Sequence, residues 1–124
     1  MGSSDTRINT GKHGEGLAAQ FLKKSGYRIL ESNFRCRYGE IDIIATEGKT
    51  LAFIEVKTKT NNKFGPPKLA VNFKKQRQIS KTAMAYLTQN KLTNHPARFD
   101  VVGISMLEDK TEIELIKNAF ELCL

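Results

Sequence analysis

The segment from Gly39 to Thr58 holds two runs in which β-branched residues alternate with other residues, and this pattern sets the strongest limit on the fold. The runs are joined at Glu47-Gly48-Lys49-Thr50, and this places a glycine where a tight hairpin turn needs a positive φ. A chain with this pattern is expected to form two antiparallel strands whose side chains alternate between the two faces of a sheet.

The predicted register brings two acids together. With Gly48 and Lys49 as the turn residues, Asp42 lies directly opposite Glu55. One face of the hairpin is then entirely apolar, and the other carries Ile44 and Phe53 near the turn and charged residues further along. The apolar face holds Ile41, Ile43, Ala45, Ala52, Ile54 and Val56, and the charged group holds Glu40, Asp42, Glu55 and Lys57.

Directly opposed carboxylates are unfavourable, with Cβ atoms about 4.5–5.5 Å apart and a repulsion of a few tenths to about 1 kcal/mol. A divalent metal ion would turn Asp42 and Glu55 into a ligand pair. The alternative is a solvated sheet face whose charges pair off, Lys57 with Glu40 and, diagonally, with Glu55. That alternative leaves Asp42 facing Glu55, so both interpretations stay open on spacing alone.

Length and charge narrow the class of protein. A chain of 124 residues is expected to form one domain, covering 1–124 with residues 1–10 flexible. Its formal charge of +7 favours a polyanionic partner, of which nucleic acid is the default. No apolar run approaches the roughly 18 residues of a membrane span, so a cytoplasmic protein without membrane contact is expected. Cys36 and Cys123 are too isolated to predict a zinc site or a disulfide.

Periodicity and turn residues predict seven elements, in the order α-β-β-β-α-β-β, and hence a mixed sheet flanked by helices. The last residues, 118–124, receive no assignment. The predicted elements are a helix over 12–25, strands over 27–37, 39–46 and 51–58, a helix over 69–89, and strands over 98–106 and 111–116.

Two further side chains have ambiguous positions. Glu15 borders the apolar stripe of the first helix, and the favoured interpretation is a first-turn acid stabilised by the helix dipole. Lys75 is in line with the core stripe of the second helix. It either extends its charged end over the rim of the core or projects into a polar cleft.

A basic loop follows the hairpin. Lys59, Lys63 and Lys68 would contact phosphates, and Phe64 would stack on a base. The alternative is a lysine-rich loop that serves solubility, and phosphate contact is preferred because the loop leaves the strand just after Lys57.

In this order, an acid in the first helix, an aspartate, a hairpin and a Glu-x-Lys tripeptide resemble the PD-(D/E)xK nuclease core. From about residue 12 to 120 the chain is similar to the bacterial YraN-like family, a distant relative of archaeal Holliday junction resolvases. Ile41 stands where the superfamily hallmark has proline. The matching segments are Gly14-Glu15, Ala18-Ala19, Leu22, Asn33-Phe34-Arg35, 39–44, 53–57, Lys75-Gln76, 98–102 and 116–120.

The resemblance implies an α/β, restriction-endonuclease-like fold and a set of roles. Asp42 and Glu55 would bind Mg²⁺ or Mn²⁺ with the main-chain carbonyl of Val56. Glu15 would supply a further acid, which reverses the helix-dipole interpretation. Lys57 would orient or deprotonate the attacking water, or stabilise the transition state. Lys75 or Gln76 would reach the same cleft.

The leading functional hypothesis is therefore a metal-dependent endonuclease acting on structured or branched DNA. The alternative is a nucleic-acid-binding module that keeps the nuclease fold with little or no catalysis. A third option is a subunit that needs protein partners in DNA processing. Because related resolvases cut two symmetric strands, the resemblance also raises a homodimer.

Overall fold

The structure, a computed structural model, describes the backbone of residues 3–59 and 70–124 and the side chains of 12–59 and 70–124. Two helices and five strands follow the predicted order. They are α1 (Ser3–Lys24), β1 (Arg28–Cys36), β2 (Gly39–Glu47), β3 (Thr50–Lys59), α2 (Phe73–Gln89), β4 (Ala97–Met106) and β5 (Thr111–Phe120). Within the described residues, neither helix combines the length and apolar character that crossing a membrane requires.

The five strands form one mixed sheet in the order β1-β2-β3-β4-β5. Neighbouring strands are antiparallel except β3 and β4, which are parallel. A parallel pair needs a long crossover connection, and α2 lies within that connection. This architecture confirms the predicted α/β, restriction-endonuclease-like fold.

The helices cover opposite faces of the sheet. On the α1 side, Ala18 and Leu22 pack with Ile54 and other fully buried residues of β2, β3 and β4. On the α2 side, the ring of Tyr86 meets that of Phe53 edge-on at a centroid distance of 5.9 Å. Successive side chains of β3 therefore pack into two separate cores, because neighbouring residues of a strand point to opposite faces of the sheet and both faces are buried here.

The predicted hairpin register is confirmed from the turn as far as Ile43. The pairs run from Glu47 opposite Thr50 to Ile43 opposite Ile54. Gly48 has φ 60°, the left-handed conformation for which the turn needed a glycine.

Beyond Ile43 the predicted alternation is wrong. Ile41 packs in the α2-side core, whereas Ile43 packs in the α1-side core. Residues two apart on one strand reach opposite faces only where the pleat is interrupted. The interruption lies at Asp42, beside Asn33 of β1, which has φ 58°. On β1, Ser32 pairs with Ile43 and Phe34 pairs with Ile41. Asn33 therefore lies opposite the interruption.

Three element boundaries differ from the prediction. Helix α1 begins at Ser3 rather than near residue 12. Helix α2 begins at Phe73 rather than 69, because the side chain of Asn72 caps it by accepting a hydrogen bond from the Lys75 amide. Strand β5 continues to Phe120, whose ring stacks on Phe99 of β4 at 4.7 Å.

A buried polar network joins β4 to its surroundings. Asp100 is fully buried and accepts hydrogen bonds from the Tyr27 hydroxyl at 2.8 Å, Arg98 Nε at 3.0 Å and the Asn118 amide at 2.9 Å. Arg98 also pairs with Glu47, 2.6 Å away at the turn end of β2. Because a buried charge is tolerated only when it is paired and hydrogen-bonded, this network fixes the β4 register as well as its charges.

Candidate functional site

Three carboxylates meet at the end of the hairpin away from its turn. Glu15 comes from α1, and Glu40 and Asp42 come from β2. One carboxylate oxygen of each lies within 4.8 Å of the other two, and all three side chains are half-buried. We name Glu15, Glu40 and Asp42 the acidic cluster.

A close helix-to-strand contact brings Glu15 to this position. The residue before it, Gly14, packs so tightly against β3 that a Cβ there would lie 2.3 Å from Thr58 Oγ1. A larger residue at position 14 would therefore force either the Thr58 side chain or α1 to shift. The contact places Glu15 beside Glu40 and Asp42, as the family resemblance implied and the helix-dipole interpretation did not.

Asp42 occupies the point where β2 and β3 stop pairing. Its Oδ2 accepts a hydrogen bond from the Val56 amide at 2.8 Å. The predicted ladder pair with Glu55 is therefore replaced by a side chain bonded to the neighbouring backbone. The two acids nevertheless remain close enough for Glu55 to raise the pKa of Asp42.

The pKa values in the cluster reflect burial and crowding of like charges. The pKa of Asp42 is raised from 3.8 to about 7, first by burial and then by Glu55 and Glu40, while the Val56 amide acts in the opposite direction. The pKa of Glu15 is also raised, by burial and then by Asp42, against a hydrogen bond with Asn33. Both carboxylates would be stabilised in the ionised form by a cation.

Glu40 was missed as a cluster member. The solvated-face alternative paired it with Lys57, but its carboxylate forms an ion pair with Arg35, its partner in the β1–β2 ladder. The available signal was the spacing of two between Glu40 and Asp42. That spacing places both side chains on one face, here the face toward α1 rather than the face of Ile44 and Phe53.

The remaining charged residues approach from the α2 side. Lys75 Nζ lies 3.8 Å from Glu55 Oε2, so its charged end projects toward the acids rather than over the rim of the core. Lys57 Nζ donates a hydrogen bond to the carbonyl of Ala70, just before α2. Asp42 therefore has acids on one side and lysine-bearing elements on the other.

Other predicted residues are placed less centrally. Gln76 donates from Nε2 to the carbonyl of Val71 and so stabilises the start of α2. Lys59 is the half-buried last residue of β3. Lys63, Phe64 and Lys68 lie outside the described residues. For Val56 the observed contact is made by its amide, and metal binding by its carbonyl stays a prediction.

The acidic cluster has the chemistry of a hard-cation site. Carboxylate oxygens are the ligands that Mg²⁺ and Mn²⁺ prefer, and the pKa values of Glu15 and Asp42 are raised first by burial and then by neighbouring carboxylates. Glu15, Glu40 and Asp42, with Glu55 beside them, therefore fit a divalent cation.

Comparisons with known proteins agree on the family. The model of the uncharacterised protein family UPF0102 matches residues 14–104. A UPF0102 protein of Syntrophus aciditrophicus is 53% identical over 115 residues, covering 93% of this chain and 91% of the relative. A UPF0102 protein of Geobacter sulfurreducens is 52% identical over 122 residues, covering 98% and 94%.

Among solved structures, Pyrococcus furiosus SfsA in complex with Ca²⁺ aligns with a TM-score of 0.39 and 14% identity. The alignment covers 90% of this chain and 62% of SfsA. The family model spans most of the chain, and the relatives match it nearly end to end. The chain therefore belongs to the UPF0102 family.

Proposed function

We propose that this protein is a metal-dependent endonuclease that hydrolyses phosphodiester bonds in structured or branched DNA. The observation that carries the proposal is the acidic cluster, half-buried and bordered by Glu55. A sheet selected for stability alone would not bury Asp42 among three other carboxylates, where burial and then the nearby charges raise its pKa to about 7.

Asp42, Glu15 and Glu40 would hold Mg²⁺ or Mn²⁺, with Glu55 and the Val56 carbonyl as the further predicted ligands. A bound cation of this kind neutralises phosphate charge and lowers the pKa of a bound water. The hydrogen bond from the Val56 amide to Asp42 Oδ2 fixes the orientation of that carboxylate.

Two lysines would act on the substrate. Lys57, on β3 two residues after Glu55, is oriented by the Ala70 carbonyl. Lys75 is held loosely, at 3.8 Å from Glu55. Ammonium groups near the cluster would offset the negative charge of a phosphodiester as it approaches the acids. They would also stabilise the additional charge of the transition state.

The test is cleavage of labelled four-way-junction and flap DNA by the purified protein with Mn²⁺. We expect cleavage by the wild type and loss of cleavage in Asp42→Asn and Glu55→Gln. Asp109→Asn, in the exposed β4–β5 turn, is the matched control and should cleave normally. Cleavage that persists in Asp42→Asn would show that the acidic cluster is not the active site.

The second candidate function is a nucleic-acid-binding module with little or no catalysis. The ion pairs of Glu40 with Arg35 and of Glu55 with Lys75 favour it, because they already neutralise two of the acids. DNA binding by the wild type without cleavage, and without Mn²⁺ binding in calorimetry, would support this module over the enzyme.

A further inference from the structure

Helix α2 carries cations and no acid. Its 17 residues include four lysines or arginines, and neither Asp nor Glu occurs among them. Lys74, Arg77 and Lys81 are spaced by three and four residues, so they share one face of the helix. Arg37, in the β1–β2 turn, lines a surface groove together with these three residues. We name Arg37, Lys74, Arg77 and Lys81 the basic face.

This arrangement opposes the stability of the helix. Lys74 and Lys75 occupy the first turn, where the helix dipole favours acids, and no acid is present there. Arg77 and Lys81 are neighbours of like charge at a spacing of four residues, which costs a few tenths of a kcal/mol. Positive charge that works against its own helix is better explained by an external anion than by folding.

The basic face is available to a ligand. Among residues 12–59 and 70–124, Lys74, Arg77 and Lys81 form no ion pair with a carboxylate. Together with Arg37 they line a groove of about 490 Å³. Phe73, which also lines this groove, is 66% exposed and is the most exposed large hydrophobic residue in the described part of the chain.

The groove reaches the first residue of β2. Gln78, which lies in the groove, packs against Gly39, where a Cβ would come within 2.5 Å of its Nε2. Gly39 has φ 146° and immediately precedes Glu40. The basic face therefore borders the start of β2, the strand that also carries Glu40 and Asp42.

We propose that the basic face binds the phosphate backbone of duplex DNA and that Phe73 stacks on an unpaired base where the duplex ends. The substrate class would then be DNA with a junction between double-stranded and single-stranded segments. The inference rests on the proposed function for the choice of DNA as the polyanion.

The dimensions fit such a contact. From Lys74 to Lys81 the helix rises about 10.5 Å, at about 1.5 Å per residue. One DNA strand presents a phosphate about every 3.4 Å along its axis, so a length of about 10.5 Å spans about four phosphates and lets each of the three cations reach one. An exposed aromatic ring beside such a row is the usual platform for an unstacked base.

The test is fluorescence anisotropy of labelled DNA in EDTA, where cleavage is absent. We expect the triple variant Lys74→Ala/Arg77→Ala/Lys81→Ala to bind at least tenfold more weakly than the wild type. Its dependence of log affinity on log salt should be shallower by about two to three, since each lost phosphate contact removes about 0.9. The charge-matched control is Lys23→Ala/Lys24→Ala/Lys49→Ala, whose lysines are exposed and outside the groove. Equal losses in the two triple variants would overturn the inference.

Phe73 is tested separately with a duplex carrying a single-stranded overhang and a blunt duplex of equal charge. We expect Phe73→Ala to weaken overhang binding at least fivefold and blunt-duplex binding by less than twofold. Equal effects on the two probes would overturn the stacking role. These binding assays contain no metal, so their results do not depend on cleavage. If the wild type does not cleave DNA in the Mn²⁺ assay, the proposed enzyme is refuted and the binding result still stands.

Discussion

The pKa of Asp42 leads to a specific prediction about stability. An Asp42→Asn variant removes the ionisable group but keeps a side-chain oxygen that can accept the hydrogen bond from the Val56 amide. In metal-free buffer we therefore expect this variant to lose less stability than the wild type as the pH rises.

The magnitude follows from the two pKa values, 3.8 as the ordinary value and about 7 in the folded protein. Between them the folded state binds a proton that the unfolded state has released, so the free energy of unfolding falls as the pH rises. The stabilisation is fully present below the ordinary pKa and is lost as the pH passes through the folded pKa. From pH 5 to pH 8 the loss amounts to about 2.5 kcal/mol, and Asp42→Asn should not show it.

The assay is urea denaturation at both pH values in EDTA. With a slope of about 1–3 kcal/mol per M, the wild-type midpoint should fall about 0.8–2.5 M further than that of Asp42→Asn. Saturating Mn²⁺ at the higher pH should restore the wild type by about 2.7 kcal/mol at a hundredfold excess over Kd, and leave the variant unchanged. Equal midpoint shifts in the two proteins would refute the reasoning that burial and nearby carboxylates raise the pKa of Asp42.

Three other perturbations have expected outcomes from the same structure. Asp100→Ala should lower the free energy of unfolding by about 3–5 kcal/mol, because it removes the buried partner of Arg98. In the same denaturation assay Glu112→Ala, which removes an exposed ion pair, should have little effect. Gly14→Ala should destabilise the protein and weaken Mn²⁺ binding in calorimetry. Gly16→Ala, whose Cβ would meet no neighbour, should instead stabilise the helix by about 0.5–1 kcal/mol. Equal effects of the two substitutions would argue against the close contact at Gly14. Tyr27 should stay protonated to about pH 12, and spectrophotometric titration against Tyr27→Phe checks this, with ionisation near pH 10 as the contrary result.

Local signals were enough to predict the strands and the hairpin register. The alternation of β-branched residues and the glycine at position 48 are signals that act over a few residues. The folded chain has the paired strands and the turn that they predict. For that reason Asp42 and Glu55 could be predicted as neighbours before the fold was known. The start of α2 was misplaced because the cap at Asn72 competes with the apolar pattern that precedes it.

Other parts of the site depended on contacts between distant residues. The pairing of Glu40 with Arg35 depends on the β1–β2 register, and β1 contains an irregularity between Ile29 and Glu31 that no local pattern revealed. The role of Asp100 was not predicted, since its Tyr27 partner lies 73 residues away. Neither feature has a signature within one turn or one strand.

Asn33 illustrates how backbone conformation limits substitution at an exposed position. Its side chain is exposed, yet its φ of 58° is one that asparagine, aspartate and glycine adopt at low cost and β-branched residues do not. Saturation mutagenesis of the surface should therefore find position 33 intolerant of valine and isoleucine, although both are common in strands. The restriction would come from the path of the main chain, which at this point turns the neighbouring strand so that an aspartate rather than an isoleucine meets α1.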